Sequence, residues 1–483
     1  MNKKSIERKF LAAAFFATAA KKVLPEIQFI ESGQDQLGFY YDFFLSYPIS
    51  ENHLEELERV TNKVSSDPVI SFKEMMIDNA KNYLEHLGQV KRVIDSDNIL
   101  VNLIDIDGFT DYIPVAAPLK NNSKFFIKLL KFQKIDQNIY RVSGLVFEDS
   151  KECYKFLKKL KGYKENNFST IGRRRKWFDF HNDQIYFYPN GITLKNKILK
   201  MVADEMELTG YKPFQSYPLS HFELIKGSNL GFNKVFEVIF RENPDIIEED
   251  SLNSQINISI KQTTFVFKNE FFDHCISYLQ SIVKMLNILG FRFEFELCTS
   301  ANLKFKYKEA ALKRALQELN IEYELDDAAT DCELKVFASD RIGRNWNVST
   351  LKLSKKTVES DFCSSLNRWI ALIAESDKLA FEILPEHIRI ILLDERYIDY
   401  ANDVSKAVQE GGFCVDIDYS DKPLNEKVFD AKMQEIPFIG VIGEKEASTK
   451  TIALRFENGH KMQRLKLYEL LEKLNQKENI ENQ

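Results

Sequence analysis

The sequence predicts a multidomain α+β protein, on three observations. The chain has 483 residues with 44% apolar content, enough for roughly two to four domains with real cores. Up to about residue 383, helical periodicity is interspersed with strands that read as antiparallel neighbours. From 384 onward, continuous apolar strands alternate with helices, the pattern of a compact α/β domain of about 100 residues.

The N-terminal segment "MNKKSIERKFLAAAFFATAAKKVLP" reads as an Ala-rich helix ended before Pro25. A basic start and an A-x-A at Ala17–Ala19 also fit a signal peptide, but the apolar run is too weak in Leu to favour it. "GFYYDFFLSYPIS" contains a strand, followed by a helix over Glu51–Lys63. A second helix is expected over Phe72–Leu87. "YRVSGLVFED" is a strand, and Ser150–Lys161 is a strongly basic helix. "IGRRRKWFDF" opens a new region. Its helices are Leu194–Leu208, stopped by Gly210, then Asn269–Leu289, Lys308–Leu319 and Ser364–Glu375. Between them lie the strands "FEVIFREN" and "INISIKQTTFVF", which flank the acidic loop "PDIIEEDSLN", and the strand "FRFEFEL". A hairpin of "CELKVFASD" and "NVSTLKL" closes around a polar turn. The C-terminal strands are "IRIILLDE", "FCVDIDYS", "PFIGVIGEKE" and "TIALRF". The expected domains are 1–177, 178–383 and 384–483.

Composition narrows the function. Lys and Arg number 66 against 72 Asp and Glu, a net charge of −6 with a pI near 5.9. No global field attracts polyanions, so any nucleic-acid surface is local. Cys153, Cys275, Cys298, Cys332, Cys363 and Cys414 form no C-x-x-C pair and the seven His are scattered. That pattern fits reduced thiols and offers no ready-made zinc site. No apolar run approaches a membrane span. The dense basic run Lys155, Lys158, Lys159, Lys161, Lys164 and Arg173, Arg174, Arg175, Lys176 suits either a solvated face or phosphate contact.

"PFIGVIGEKE" and "TIALRFENG", spaced as they are after "GGFCVDIDYS", resemble the anticodon-binding domain shared by threonyl-, prolyl-, histidyl- and glycyl-tRNA synthetases. Further upstream, "LPEIQFIESGQDQLGFYYDF", "FTDYIPVAAPL" and "IYRVSGLVF" resemble the editing domain of bacterial-type threonyl-tRNA synthetase. Asp340, Arg344, Trp346 and Thr350 match that family's D-x-x-x-R-x-W-Q-x-x-T turn, and "SSLNRWIALIAE" resembles the third class II motif. The order of the motifs spans nearly the whole chain, without the family's N-terminal ubiquitin-like domain. The resemblance implies an editing-like α+β domain, a class II catalytic-like domain built on an antiparallel sheet, and the α/β anticodon-binding domain.

The resemblance also says where the family's chemistry should sit. The editing histidines fall at Ala14 and Thr18, and the later Cys and His at Ile113 and Ala117, none of which transfers a proton. Two zinc ligands fall at Phe265 and Glu359 and the third has no counterpart, so no zinc is expected. Arg241 stands at the α-phosphate position and Arg368 at the γ-phosphate position. Asn243 and Asn367 replace the family's acids, a second Arg is lost near Asn257, and Asn347 replaces its Gln. Each lost charge clamp costs roughly 2.7–4 kcal/mol of transition-state stabilisation, which makes ATP and Mg doubtful ligands. Arg241, Asn243, Arg344, Asn347, Thr350 and Arg368 are the candidate ATP-site vestiges. Glu446 and Arg455 are the candidate base readers, with Arg173, Arg174, Arg175 and Lys176 for the tRNA backbone. In the anticodon domain the family's Asn and Arg become Asp421 and Phe429. The expected function is a cytoplasmic pseudo-synthetase that binds tRNA, or a synthetase partner, as a homodimer or in association, with no membrane and no DNA. The alternatives are an adenylate-forming ligase with an altered amino-acid site, and a scaffold without RNA contact.

Overall fold

The computed structural model describes residues 3–35, 37–94, 96, 99–114, 125–181, 184–214, 234–242, 256–265, 270–299, 306–326, 332–354, 357–376, 379–456 and 462–481. The chain forms two compact units. The first runs to Lys164 and takes in the turn Ile342–Asn345; the second comprises Glu165–Arg341 and Trp346 onward. The fold is α+β, with antiparallel sheets before residue 384 and a mixed sheet after it.

In the first unit the N-terminal segment is a core helix, α1 (Lys3–Val23). Residues Ala12–Ala17, Ala19 and Ala20 are buried, Phe15 and Phe16 completely. Small residues let this helix lie close to a four-stranded antiparallel sheet ordered β1 (Gln28–Gln34), β2 (Phe39–Phe44), β7 (Ile139–Phe147), β6 (Phe126–Asp136). Edge strand β6 is covered by α2 (Glu51–Ser66): the Asn62 side chain accepts from Ile127 N at 2.8 Å and donates to Ile127 O at 2.7 Å.

The expected helix Phe72–Leu87 is instead a strand, β3 (Ile70–Met76), running into a shorter helix, α3 (Ile77–His86). Antiparallel pairing decides it. The strand β4 (Leu100–Ile106) sets Ile106 opposite Ile70 and Ile104 opposite Phe72, so one face joins the main core. β5 (Phe109–Ile113) completes this small sheet. Beside it, Arg92 and Asp111 form a buried ion pair at 2.7 Å, and Tyr41 Oη donates to the same carboxylate at 2.6 Å. Burial pushes the Tyr41 phenol well above its ordinary pKa.

The second unit is built on an eight-stranded sheet. Its order is β10 (Lys212–Pro213), β11 (Lys234–Glu242), β12 (Ile256–Phe265), β17 (Thr357–Cys363), β16 (Asn345–Leu353), β15 (Glu333–Ser339), β13 (Phe293–Cys298), β14 (Tyr323–Asp326). Only the two edge pairs are parallel among those described. One face carries α6 (Pro189–Leu208), α7 (Phe271–Ile288) and α9 (Leu366–Glu375), whose Leu194, Ile198, Leu279, Ile282 and Trp369 build the largest core. α6 begins five residues before its expected start, with Pro189 in its first turn, where a missing N–H costs nothing. The opposite face is polar.

The last hundred residues form a five-stranded sheet ordered β19 (Val415–Asp418), β18 (Ile388–Leu392), β20 (Phe438–Ile442), β21 (Thr451–Phe456), β22 (Met462–Lys466). The first three strands are parallel. His387 enters this core in one protonation state. Its Nδ1 accepts Cys414 N–H at 2.7 Å and its Nε2 faces Phe381 O at 2.8 Å, so the proton sits on Nε2. Burial, helped by the Lys197 charge, lowers its pKa from 6.5 to about 4. A neutral buried His means that the unfolded chain binds the extra proton first. Stability should fall as pH drops from 6.5 towards 4, by up to about 1.4 kcal/mol per pH unit from this group. Urea unfolding across that range should show the slope in the native chain and a shallower one in His387→Gln.

Candidate functional site

The polar face of the eight-stranded sheet is the candidate site. Strand alternation puts Asn257, Ser259, Lys261, Glu359, Asp361, Thr350 and Lys352 on one face through the pairs Ile239↔Ser259, Lys261↔Asp361, Thr350↔Asp361 and Lys352↔Glu359. Neighbouring strands exchange ion pairs across it. Lys261 meets Glu359 at 3.1 Å, Lys352 meets Glu333 at 3.4 Å, and Lys335 meets Glu333 at 3.2 Å and Glu296 at 3.9 Å. Glu359, the position where the resemblance places a family zinc ligand, is thus already neutralised by Lys261 and also accepts from Thr357 Oγ1 at 3.0 Å. The side chains of Phe265 and Arg241 lie outside the described residues, as do Ala117 and Asn243.

Among the described residues, three side-chain oxygens on this face are buried without a hydrogen-bond partner: Asn257 Oδ1, Ser259 Oγ and Asp361 Oδ1. Asn257 Nδ2 donates to Ser364 O at 3.0 Å, which fixes the amide so that its oxygen points elsewhere. Together they make an acceptor-rich spot that opposes a phosphate. Sequence reading passed over Asp361 and Ser259; an Asp inside the apolar alternation of "TVESDFC" was the available signal.

The structure brings four predicted residues together. Arg368, in the first turn of α9, donates through Nη1 to Asn347 O at 2.5 Å and lies 5.7 Å from the Trp346 ring. Asn347 Nδ2 donates to Thr350 Oγ1 at 3.0 Å. Burial lowers the Arg368 pKa. Trp346 is core, its Nε1 donating to Asp340 Oδ2 at 3.1 Å. Arg344 is not in this group: in the first unit its Nη2 donates to Tyr163 Oη at 2.7 Å.

The arginine run is engaged internally. Arg173 forms a two-pronged pair with Asp179 at 2.6 and 2.8 Å. Arg174 meets Glu435 Oε1 at 2.7 Å, and buried Arg175 grips Glu435 Oε2 while lying 4.7 Å from the Trp177 ring. Lys176 alone of the four is exposed and unpaired among the described residues, on a turn with φ 52°. Glu446 is buried as well, accepting from Gly443 N at 3.2 Å and Arg464 Nε at 2.9 Å. Arg455 is half-buried on β21 and carries no side-chain partner among the described residues. The basic helix α4 (Ser150–Glu165) differs: Lys151, Lys155, Lys158, Lys159 and Lys161 are exposed and form no ion pair among the described residues, and Tyr154 between them is 74% exposed.

Among the described residues, one group could hold a metal ion: Glu296, Cys298 and Asp326, whose donor atoms lie within 4.8 Å of one another. Lys335 already brings a positive charge to it, and burial pushes the Cys298 thiol up to about 11. These donors fit a cation poorly. Among the described residues, no helix is long and apolar enough to cross a membrane.

Comparison with known proteins matches residues 387–477 to the anticodon binding domain family. The chain is 21% identical to the threonine–tRNA ligase of Clostridium novyi, over 92% of this chain and 84% of that one. The Acetivibrio thermocellus ligase is also 21% identical, over 91% and 83%. Among solved structures, the RNA binding domain of Cryptosporidium parvum threonyl-tRNA synthetase shares the fold with a TM-score of 0.56 at 18% identity. It covers 64% of this chain and 98% of that one. A putative threonyl-tRNA synthetase from Aeropyrum pernix gives 0.51 at 13% identity, over 65% and 97%.

Glu435 is the test of the internal role of the arginines. Glu435→Ala strips two guanidinium groups of their partner. Glu435 is 41% exposed and water can replace part of what is lost. The expected cost is therefore about 1–3 kcal/mol, read as a lower urea midpoint. An unchanged midpoint would show that Arg174 and Arg175 do not depend on it.

Proposed function

We propose that this divergent threonyl-tRNA synthetase-like chain binds tRNA without zinc-dependent threonylation or editing, as a pseudo-synthetase acting in translation. The observation that carries the reading is the unpaired basic face of α4, in a chain that retains an anticodon-binding domain. Five exposed lysines along one helix, with Tyr154 beside them, form a local phosphate-binding surface on an otherwise acidic chain.

Loss of catalysis is supported at both sites. Ala14, Thr18 and Ile113 are buried in the first unit, with Thr18 Oγ1 bonded to Ala14 O at 3.0 Å. A packed core of this kind offers no general acid or base. On the polar face of the sheet, Glu359 is paired with Lys261, and the oxygens of Asn257 and Asp361 oppose a triphosphate. Association with a second copy or with an authentic synthetase subunit, in the cytoplasm, belongs to the same reading.

The test is a salt-series titration with threonine tRNA and unrelated tRNAs. Affinity should fall with salt, and replacing Lys151, Lys155 and Lys158 by Ala should flatten the log–log slope by about one for each lysine that meets a phosphate. ATP with Mg²⁺ should leave the unfolding temperature unchanged. Absence of binding at low salt overturns the tRNA reading in favour of a scaffold. An ATP-dependent stabilisation lost in Arg368→Ala would instead support the adenylate-forming alternative.

A further inference from the structure

A second surface lies at the carboxyl ends of β18 and β19. The loops that follow these two parallel strands enclose a cleft of about 340 Å³. Crevices at this edge of an α/β sheet are where ligands bind. Four apolar side chains line it and remain open to water: Leu393 at 53%, Ile398 at 36%, Tyr419 at 56% and Leu424 at 37%. Single exposed apolar residues need no explanation, but four converging on one cleft mark an interaction surface.

Charge decides what kind. The cations around the cleft are spent locally. Arg396 pairs with Asp394 at 3.0 Å, Lys422 with Asp430 at 2.5 Å, and buried Lys427 donates to Leu392 O and Asp418 O at 3.3 and 3.5 Å. Glu395 and Asp421 line the cleft exposed and without an ion pair among the described residues. From Asp394 to Asp430 the chain has ten Asp and Glu against four Lys and Arg. RNA binding needs cations that neutralise phosphates, and this face presents the opposite sign.

We infer that the cleft docks a partner protein through a short segment in which Lys or Arg flanks an apolar side chain. The apolar side chain seats among Leu393, Ile398, Tyr419 and Leu424, and the basic groups meet Glu395 and Asp421. Tyr419 is the anchor, a rigid aromatic with a polar tip of the kind that dominates interfaces. This goes beyond the tRNA reading: the cleft shares no residue with α4 but lies within the anticodon-binding domain, at Asp421 where the resemblance places the family's Asn, and a carboxylate there turns it away from RNA.

The test uses the full chain and three labelled probes: a short peptide alternating Leu and Arg, its Ser-for-Leu counterpart, and the anticodon stem-loop of a threonine tRNA. The Leu/Arg peptide should bind, and Tyr419→Ala and Asp421→Lys should each weaken it by about tenfold or more. The Ser-for-Leu peptide should bind the native chain about tenfold more weakly. Leu424→Ser serves as a second cleft variant should Tyr419→Ala shift the unfolding midpoint. Equal affinity for native and variant chains overturns the inference. So does a stem-loop that displaces the peptide and itself loses affinity in Tyr419→Ala, which would make the cleft a base pocket. Self-association abolished by Tyr419→Ala would overturn it too, by naming a second copy as the occupant.

Discussion

The second unit is held together at the carboxyl end of the helix Leu366–Glu375. A carboxylate there opposes the helix dipole, and the last carbonyls have no donor of their own. Distant groups supply both needs. Glu375 accepts from Phe168 N at 2.9 Å and Arg341 N at 3.1 Å, while Arg341 Nε donates to Glu375 O at 2.8 Å. Arg175 Nη1 reaches Ala374 O at 3.3 Å, and the same guanidinium grips Glu435. One helix end therefore ties the start of the unit, the turn before β16 and the C-terminal domain into a single hydrogen-bonded junction. A buried acceptor left without its donor is more costly than a bond never made.

That junction redistributes charge, and the redistribution shapes what the protein can bind. Arginines held in ion pairs with Asp179 and Glu435 contribute geometry and much less external field than unpaired cations. The polar face of the large sheet is balanced in the same way, since Lys261, Lys335 and Lys352 each have a carboxylate within reach. A lattice of alternating signs has no concentrated positive potential to capture a triphosphate. Positive potential survives where no counter-charge was built, along α4. Unbalanced negative charge survives around the cleft beyond β18 and β19. The two surfaces are of opposite sign and call for chemically different partners.

Much of this architecture was legible in the sequence, because the strands of the C-terminal domain and the long helices carry strong periodicity. Failures trace to non-local partners. β3 was misread because its apolar spacing satisfies a helix equally, and only pairing with β4 distinguishes them. The arginine run reads as a polyanion surface until Glu435, 261 residues from Arg174, is seen to take it up. Glu446 looked available for base reading, yet it closes its own helix start and pairs with Arg464. Residue type is local information; whether a counter-charge arrives from elsewhere in the chain is not.

The two units differ at the positions where the resemblance places the family's chemistry. In the first, Ala14, Thr18 and Ile113 pack as ordinary core, and the one hydroxyl among them is bonded within its own helix. Nothing polar is left over at these three positions, so they are settled by packing alone. The sheet face of the second unit is otherwise: among the described residues, Asn257, Ser259 and Asp361 hold buried oxygens without donors. Each such group costs about 1–3 kcal/mol where it stays unpaired, a cost that a purely structural surface would shed by substitution to apolar residues. Among the described residues, these oxygens make that face less stable than an apolar one of the same shape.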